Sequence, residues 1–451
     1  MTITNTHTLG IKGRVIAPDS PEYDNARQLF AGGFDRHPAL IVRVANDDDV
    51  ARAIAYARTA KLPLAVRSGG HSPVGHSVWD GALVIDLRDR RKLDVDAKGR
   101  TVWAETGLTA VEVTKGVGEH QLVLGFGDTG SVGIGGITLG GGVGYLARKY
   151  GLTIDSLIAA DMVLADGRRV RVDATHEPDL FWAIRGGGGN FGVATRFQYR
   201  LQPLPQIVGG FLFLPATADT VKRFMDACAA APEELTVIAN VMPAPPMPMI
   251  PEAAHGKLSI FAIVAYAGTG DAAERALAPL RAVATPIADL LHPMPYSEIY
   301  PPDDPSYRPI AANKTLMVDE FDSASAESVI RFTTEPTSTT FKVAQLRALG
   351  GAVSRVPNDA TAYGHRQRRF MINIAALVDN TEQVAAHADW IRRFEAALQR
   401  GPEGAYVGFV GDEGKARIRA AYPGKTWDRL VEAKRRYDPD NVFRLNQNVT
   451  P

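Results

Sequence analysis

The stretch DLFWAIRGGGGNFGVATRF, residues 179–197, decides the fold class through the order of the segments around its glycines. Five of the seven residues 186–192 are glycine, with the spacing of a dinucleotide-binding fingerprint. That fingerprint requires a strand before the glycines and a helix after them. Here DLFWAIR has the pattern of a helix, and VATRFQYRL has the pattern of a strand. The inverted order argues against a Rossmann fold and for another kind of glycine-rich site.

Two more segments have the same character. Ten of the twenty residues 125–144 are glycine, and RSGGHSPVGHS, residues 67–77, follows a strand-like run. Such glycine density weakens regular structure and is costly unless the backbone must approach something closely. Residues 125–144 lack the Lys-Ser/Thr pair of a P-loop. Each segment alone could be a flexible turn, but three within about 120 residues predict backbone N–H groups converging on a large polyphosphate cofactor.

Composition excludes several other classes. The chain has 451 residues, of which 45% are hydrophobic and 22% charged, so we expect two or three globular domains. Fifty basic residues balance fifty acidic ones, which argues against nucleic-acid or anionic-membrane partners. A single cysteine, Cys228, excludes a disulfide framework within the chain and a cysteine-based zinc cluster. His71 and His76 are five apart without an acidic neighbour, so no metal site is predicted.

The N-terminus and the apolar runs predict the location. The opening MTITNTHTLGIKGR lacks the basic segment and apolar core of a signal peptide. No apolar run approaches the length needed to cross a bilayer. We therefore expect a cytoplasmic, water-soluble protein, and the sequence predicts no particular oligomeric state.

The composition of the chain changes after PLPQ, residues 203–206, because the glycine clusters stop there. We place a domain boundary at this point. Before it, Asn46 and the acidic residues that follow predict the start of a helix after a strand. Beyond it, hydrophobic periodicity predicts strands at 257–267 and 370–377 and helices at 218–229 and 381–399. Two proline-rich stretches, 242–251 and 292–305, are either exposed loops or the rim of a substrate entrance.

Four motifs together carry a family resemblance: VRSGGHSPVGHS, GSVGIGGITLGGGVGYLARKYGLTIDSL, DLFWAIRGGGGNFGVATRF and the C-terminal KRRYDPDNVFRLNQNV. They resemble the flavin oxidases of the vanillyl-alcohol oxidase superfamily, in the berberine-bridge-enzyme-like branch and of the bacterial hydroxynicotine-oxidase type. The resemblance implies an α+β fold with a discontinuous PCMH-type FAD-binding domain, residues 1–205 and 415–451. It also implies an antiparallel-sheet substrate domain covered by helices, residues 206–414.

The resemblance implies FAD attached covalently through its benzenoid-ring methyl to His71, which would raise the flavin's potential and prevent its loss. On the residues alone, His71 would be an ordinary loop histidine. Thr129 stands where many relatives have a second linking cysteine, so one covalent bond is expected. The other FAD contacts implied are Arg67, Ser68, Gly69, Gly70, Ser72, Gly75, Ser77, Ser131, Val132, Gly133, Gly135, Gly136, Gly140, Gly141, Gly142, Asp155, Val193, Asn446 and Asn448.

The catalytic residues are implied less directly. Relatives carry a Tyr-x-Asn-Tyr element whose second tyrosine is the base, but here Phe409 takes that place and only Tyr406 is kept. Tyr406 is therefore the candidate base. In the strand FKVAQLR, alternation places Gln345 and Arg347 on one face, as candidate substrate contacts. The alternative is a buried strand with an arginine reaching its edge. Tyr363 and His365 are lesser candidates.

These expectations combine into an FAD-dependent oxidase. It would take a hydride from an alcohol, amine or activated ring carbon and pass the electrons to dioxygen, giving hydrogen peroxide. Two alternatives remain open at this point. One is an oxygenating tailoring enzyme of secondary metabolism, and the other is a flavoprotein that binds a small molecule without turnover.

Overall fold

The computed structural model describes residues 10–304, 306–339 and 341–451. Residues 1–9 of the opening segment, on which the prediction of no signal peptide rests, lie outside these ranges. Pro305 of the second proline-rich stretch also lies outside them. The predicted α+β class is confirmed, because helices alternate with largely antiparallel sheets. Within the described ranges, every helix is too short or too polar to cross a bilayer.

Eleven strands precede residue 206. They are β1 (Arg14–Ile16), β2 (Leu40–Arg43), β3 (Leu64–Arg67), β4 (Leu83–Asp86), β5 (Leu93–Asp96), β6 (Thr101–Glu105), β7 (Leu122–Val123), β8 (Leu157–Val163), β9 (Arg169–Asp173), β10 (Val193–Arg200) and β11 (Gln202–Pro203). Eight follow it: β12 (Ile207–Pro215), β13 (Leu235–Pro243), β14 (Leu258–Tyr266), β15 (Ala288–Asp289), β16 (His292–Met294), β17 (Ile310–Val318), β18 (Lys342–Ala348) and β19 (Phe370–Val378).

The α-helices lie between and after these strands. They are α1 (Tyr23–Arg27), α2 (Asp47–Thr59), α3 (Ala110–Gly118), α4 (Ile134–Gly140), α5 (Ala147–Tyr150), α6 (Pro178–Ile184), α7 (Ala218–Ala230), α8 (Asp271–Arg281), α9 (Ser323–Thr334), α10 (Ala352–Arg355), α11 (Thr381–Ala386), α12 (Ala388–Leu398), α13 (Gly414–Ala420) and α14 (Thr426–Tyr437).

The first sheet has the strand order β1-β2-β4-β3, and its last three strands run parallel. Helix α2 covers it and begins as predicted, because the side chain of Asn46 accepts a hydrogen bond from the Asp49 N–H at 3.0 Å. Strand β3 ends at Arg67, so the histidine loop, residues 68–77, leaves the sheet at the carboxyl end of a buried parallel strand.

The second sheet is antiparallel, with the order β5-β6-β10-β8-β9. Helix α6 precedes the glycines of residues 186–192 and strand β10 follows them, so the inverted order that the sequence predicts is confirmed. The core on this sheet includes residues from the end of the chain, because Leu430 and Tyr437 of α14 and Val449 pack into it.

The third sheet contains eight antiparallel strands, seven of them in the order β15-β12-β14-β13-β18-β19-β17, with β16 also paired to β12. Helices α7, α9 and α12 pack on one face through Phe224, Phe332 and Phe394. The opposite face carries Gln345 and turns toward the glycine segments. This arrangement makes the third sheet a roof over the first half of the chain.

The helix predicted at 381–399 is divided in the structure into α11 and α12. His387 lies between them with φ −92° and ψ 1°, outside the α-helical region. Its Nδ1 makes a hydrogen bond of 2.7 Å with the Gln383 carbonyl, an intrahelical acceptor. A hydrophobic stripe is compatible with either arrangement, so the pattern alone could not show the break.

Candidate functional site

A cavity of about 480 Å³ lies where the histidine loop, the glycine-rich segments, the C-terminal tail and the roof sheet meet. The sequence-predicted residues that line it are Ser68, Gly69, Gly70, His71, Ser72, Ser77, Thr129, Val132, Gly133, Gly135, Gly136, Val193, Tyr406 and Asn446. The structure therefore brings together residues from five separate parts of the chain. A smaller cavity of about 320 Å³, between α3 and Tyr296, contains none of these segments.

The first two glycine-rich segments touch each other through their backbones. A Cβ atom added to Gly69 would lie 2.3 Å from the backbone nitrogen of Gly133, and one added to Gly133 would lie 2.1 Å from that of Gly69. The Ser68 hydroxyl joins them further, accepting the Gly135 N–H at 3.1 Å. Glycine is required at both positions because no side chain fits between the two backbone segments.

His71 lies on the cavity wall with a neutral imidazole. Burial lowers its pKa to about 4, and a backbone hydrogen bond at Ser131 opposes that shift only in part. The ring of Phe30 stacks on it, with 4.1 Å between ring centroids and 16° between planes. At neutral pH the imidazole is neutral, with one N–H and one nitrogen lone pair, and the lone-pair nitrogen can act as a nucleophile.

The cavity fits a large dinucleotide. Ser77 Oγ and Asn446 Oδ1 are buried, lack a protein hydrogen-bond partner and belong to residues on the cavity wall. A Cβ atom added to Gly136 or Gly189 would meet nothing within 4 Å, so both backbones border open space. Unpartnered polar atoms beside exposed glycine backbone are what a polyphosphate and a polar ring system need for binding.

Arg67 has a different position from the predicted pyrophosphate contact. Leu64, Val66 and Ser68 line the cavity, so strand alternation turns the Arg67 side chain to the opposite face. There the guanidinium donates to the Ala26 carbonyl at 2.6 Å and to the Gln28 carbonyl, and burial lowers its pKa to about 9. Arg67 therefore fixes the chain before Phe30 instead of facing the cavity.

Asp155 is also engaged elsewhere. Its carboxylate accepts two hydrogen bonds from the Arg366 guanidinium, at 2.7 and 2.8 Å, and one from the Leu152 N–H at 2.8 Å. For Asp155 to contact the adenosine side of FAD as predicted, its hydrogen bonds with Arg366 would have to be broken. The other predicted FAD contacts that do not line the cavity are Gly75, Ser131, Gly140, Gly141, Gly142 and Asn448.

Residues 140–142 lie behind the cavity wall and orient Tyr406. The Gly142 N–H donates to the Tyr406 hydroxyl oxygen at 3.0 Å. A Cβ atom added to Gly142 would lie 2.0 Å from Thr153 Oγ1, and its φ of 78° also favours glycine. Tyr406 lines the cavity, and burial raises the pKa of its phenol. Its ring lies 5.1 Å from that of Phe409.

Polar side chains form a continuous row across four neighbouring strands of the roof sheet. Asn240 is paired in register with Gln345, Gln345 with Asn373, and Asn373 with Thr315. Gln345 Nε2 donates to Asn240 Oδ1 at 3.1 Å, and Thr315 Oγ1 donates to Asn373 Oδ1 at 3.2 Å. Asn373 lines the cavity, as does Asn313 two residues before Thr315. Within the row it is Asn373 that presents its amide to the cavity.

Arg347 connects the roof to the second glycine segment. Its guanidinium forms an ion pair with Asp128, a cavity-lining residue, and donates to the Val143 carbonyl at 3.3 Å. It also donates to Gln345 Oε1 at 3.2 Å, which joins it to the polar row. Arg347 is only 3% exposed, so it bridges two walls of the site below the cavity surface.

The two lesser candidates differ in position. The Tyr363 ring lies 6.2 Å from that of Tyr406, and its buried hydroxyl has no protein partner. His365 turns away, with Nε2 bonded to the Ala420 carbonyl at 2.8 Å.

The residues of the site that sequence reasoning missed include Asp128, Asn240, Asn313, Asn373 and Phe30. A usable signal exists for Asn240 and Asn373, because each is a single asparagine within an otherwise apolar strand run, IANVM and FMINIAAL. Asp128 and Asn313 carry no comparable signal. Each gains its position from contacts between segments that are distant in sequence.

Comparison with known proteins agrees with this geometry. A family model described as an FAD binding domain matches residues 38–173, and one described as berberine and berberine like matches residues 405–450. The chain is 31% identical to the FAD-linked oxidoreductase YvdP of Bacillus subtilis, with 98% of both chains covered. It is 28% identical to (R)-6-hydroxynicotine oxidase of Paenarthrobacter nicotinovorans, again with 98% of both covered.

Solved structures are similar over the same length. The crystal structure of 6-hydroxy-D-nicotine oxidase from Arthrobacter nicotinovorans gives a TM-score of 0.85 at 27% identity, covering 98% of this chain and 99% of that one. Berberine bridge enzyme from Eschscholzia californica gives 0.85 at 21% identity, covering 99% and 98%, which shows the fold alone.

The fold and the glycine-lined cavity define an FAD-linked oxidoreductase with a PCMH-type FAD-binding fold, and the predicted enzyme class is confirmed. Within that class, the chain belongs to the berberine-bridge-enzyme-like family, as its four motifs indicate.

Proposed function

We propose that this chain is an oxidase that takes a hydride from a small-molecule C–H group into FAD attached to His71, with dioxygen reduced to hydrogen peroxide. The observation that carries the proposal is a neutral, partly buried imidazole on the wall of a glycine-lined cavity, beneath a sheet that carries polar side chains. When bound, FAD supplies the two-electron redox chemistry. The protein's residues would bind the flavin and the substrate, orient them and accept the proton.

The proposed FAD contacts fall into two groups. The pyrophosphate would lie against backbone N–H groups of the glycine segments, while Ser77 and Asn446 offer buried oxygens without protein partners. The other proposed FAD contacts are the cavity-lining residues of the histidine loop and of the two glycine-rich segments that follow it. Thr129 is proposed to form no covalent bond, since a hydroxyl is a weaker nucleophile than a cysteine thiolate.

Tyr406 is the proposed acceptor of the substrate proton. Tyr406 is a cavity-lining residue, and its phenol oxygen accepts a hydrogen bond from the Gly142 N–H at 3.0 Å, which stabilises negative charge on that oxygen. Phe409 packs against the same ring, so its place in the family's tyrosine element is filled by an apolar contact. Tyr406 would therefore offer the substrate proton a phenol oxygen that a hydrogen bond already orients.

The roof is the proposed substrate-binding surface. Asn373 and Asn313 present neutral amides to the cavity, and Gln345 is paired in register with Asn373 on the adjoining strand. The relatives named above include an oxidase of hydroxynicotine, and a xylooligosaccharide oxidase is among the proteins of the same fold. Amide groups donate to and accept from hydroxyl or carbonyl groups, so we propose that the substrate carries such a group.

The two-domain organisation is likewise proposed. Residues 206–414 contain the roof sheet with its own core. Residues 415–451 contribute Leu430, Tyr437 and Val449 to the core of the second sheet. This shared core supports a discontinuous FAD-binding domain formed by residues 1–205 and 415–451.

The test is an anaerobic titration of the purified flavoprotein with alcohols, hydroxylated aromatics, sugars and cyclic amines, followed by visible spectroscopy. We expect bleaching of the flavin by one hydroxyl- or carbonyl-bearing class, and one hydrogen peroxide per turnover after oxygen is admitted. Incorporation of labelled oxygen into the product would favour the oxygenating alternative. Tight binding of a compound without bleaching would favour the non-catalytic alternative.

A further inference from the structure

We propose that Phe30 is a positioning residue that holds the imidazole of His71 in the orientation required for covalent attachment of the flavin. The inference rests on the proposed function, because it presupposes a bond between His71 and FAD. Nothing in the sequence motifs points to Phe30, which lies outside all four of them. The geometry of the histidine loop alone leads to it.

The first observation is the stack itself. The two rings lie 4.1 Å apart and are nearly parallel, at 16°, and both residues line the cavity. A parallel aromatic contact covers one face of the imidazole and restricts its tilt. The ring nitrogens lie in the plane of the ring, so fixing that plane fixes the direction in which a nitrogen lone pair points.

The second observation is that Phe30 is held firmly. We call residues 26–32 the strap, because this segment crosses the histidine loop. The Phe30 N–H donates to the Gly70 carbonyl, next to His71, at 3.2 Å. Arg67 binds the carbonyls of Ala26 and Gln28. Phe30 is thus attached to the loop that it orders.

The roof side holds the far end of the strap. The Gly32 N–H donates to the Pro309 carbonyl at 2.9 Å, and the Arg308 guanidinium donates to the Leu29 carbonyl. The strap is therefore fixed from both sides of the cavity, and the stacked ring has little freedom to leave His71.

The chemistry explains why ring orientation matters. Attachment would form a bond between the lone-pair nitrogen of the imidazole and the methyl carbon of the flavin. The methyl group would lose one hydrogen as a proton, and the other ring nitrogen would lose its N–H proton. Two electrons remain on the flavin, and dioxygen, the oxidant of the proposed function, takes them to give hydrogen peroxide. The low pKa of His71, about 4, keeps a nitrogen lone pair free at neutral pH. Alignment of that lone pair then controls the rate.

The experiment compares ring-bearing and ringless residues at position 30. Phe30→Leu and Phe30→Met keep an apolar side chain of similar size without a ring, whereas Phe30→Tyr keeps the ring. Tyr307→Ala is the matched control, since the Tyr307 ring meets Phe30 edge-on at 6.3 Å and is 52% exposed. Each purified flavoprotein is denatured in acid, and the flavin on the polypeptide and in the supernatant is measured by absorbance and intact mass.

We expect wild type, Phe30→Tyr and Tyr307→Ala to retain nearly all flavin on the polypeptide. In Phe30→Leu and Phe30→Met the covalent fraction should fall by roughly tenfold, because misaligned reacting groups react more slowly. Total flavin per protein and melting temperature should change little, since the glycine segments remain. A purely structural role would instead lower total flavin and melting temperature together with the covalent fraction.

The outcomes separate this proposal from the one on which it rests. If the wild-type protein releases all its flavin in acid, the covalent linkage of the proposed function fails. If wild type is covalent and both ringless variants are equally covalent, the role of Phe30 is overturned. Covalent loss in Phe30→Tyr matching that in Phe30→Leu would overturn it as well, because the ring would then be irrelevant.

Discussion

At the scale of single residues, Tyr406 accepts a hydrogen bond from the Gly142 N–H and lies on the cavity wall. Replacing it with phenylalanine keeps the ring that packs on Phe409 and removes the proposed proton acceptor. We expect Tyr406→Phe to slow flavin reduction by roughly 100- to 10,000-fold, with little change in substrate binding. Stopped-flow reduction under anaerobic conditions measures both quantities. An unchanged rate would move the role of base to another group.

The same residue predicts a pH dependence. Burial raises the pKa of Tyr406 above its ordinary value of 10.0, and only the deprotonated phenol can accept a proton. The rate of flavin reduction should therefore rise steadily between pH 7 and about 10 without reaching a plateau. Tyr406→Phe should show no such rise. A wild-type plateau near neutral pH would contradict the assignment of Tyr406 as base.

His71 gives the next prediction at this scale. His71→Ala should yield a flavoprotein whose flavin is released by acid, because only the covalent bond survives unfolding of the cavity. The glycine segments should still bind FAD. Thr129→Ala is the control and should retain covalent flavin. Acid precipitation followed by absorbance of the supernatant decides the matter, and yellow polypeptide from His71→Ala would refute the linkage.

At the scale of secondary-structure elements, helix α14 ends in a buried ion pair, and its lysine also binds carbonyls of the third glycine segment and the C-terminal tail. Lys434 Nζ donates to Asp438 at 2.7 Å and to the carbonyls of Asn190 and Phe443 at 2.8 and 3.0 Å. Asn190 belongs to the third glycine segment, and its side-chain oxygen also accepts the Val449 N–H at 2.9 Å. The helix thereby fixes a glycine loop and the C-terminal tail together.

Breaking this pair should be costly. Lys434→Met leaves Asp438 buried without its cation, which we expect to lower the free energy of unfolding by about 3–5 kcal/mol. Arg436→Met is the matched control on the same helix. Its guanidinium is largely exposed and pairs with Asp179 at 3.1 Å, so its loss should cost less than about 1 kcal/mol. Denaturant unfolding of the two variants gives the comparison, and equal costs would contradict it.

The elements also show where sequence reasoning succeeds. The cap at Asn46 and the helix–glycine–strand order around residues 186–192 are local features, so the sequence predicts them correctly. The break at His387 is a departure of one residue from helical backbone angles, which no periodicity reveals. The orientation of Arg67 follows from strand alternation and was available in principle. The contact of Arg347 with Asp128 joins residues more than two hundred positions apart, and only the folded chain shows it.

At the scale of the whole molecule, histidines with a lowered pKa couple stability to pH, and His76 and His365 share this property with His71. Burial lowers the pKa of His76 and of His365 to about 4, from an ordinary 6.5. Between those values the unfolded chain binds more protons than the folded one, so stability rises with pH there. The melting temperature of the flavoprotein should fall as the pH is lowered from 6.5 toward 4.

Two variants test the origin of that slope. His365→Gln retains a donor for the Ala420 carbonyl and removes the titration, so its melting temperature should depend less steeply on pH. His120→Gln, at an exposed position, should keep the wild-type slope. Identical slopes in His365→Gln and wild type would remove His365 from the explanation.

The tail tests the proposed domain organisation. Phe443, Leu445, Asn446 and Gln447 line the cavity, and Val449 packs into the core of the second sheet. Deleting residues 438–451 removes a wall of the cavity and part of a core. We expect the truncated protein to lose both FAD binding and several degrees of melting temperature. A truncated protein that purifies with a full complement of flavin would argue against a discontinuous FAD-binding domain.

The position of that wall in the chain bears on how the protein is made. The histidine loop leaves the ribosome early, whereas residues 443–447 follow only after every strand of the roof sheet has been translated. At a typical elongation speed the delay is roughly 20 to 75 seconds. During that interval the nascent chain has a histidine but no finished pocket. We therefore expect flavin loading to follow the synthesis of residues 443–447 and to occur late relative to the synthesis of the histidine loop.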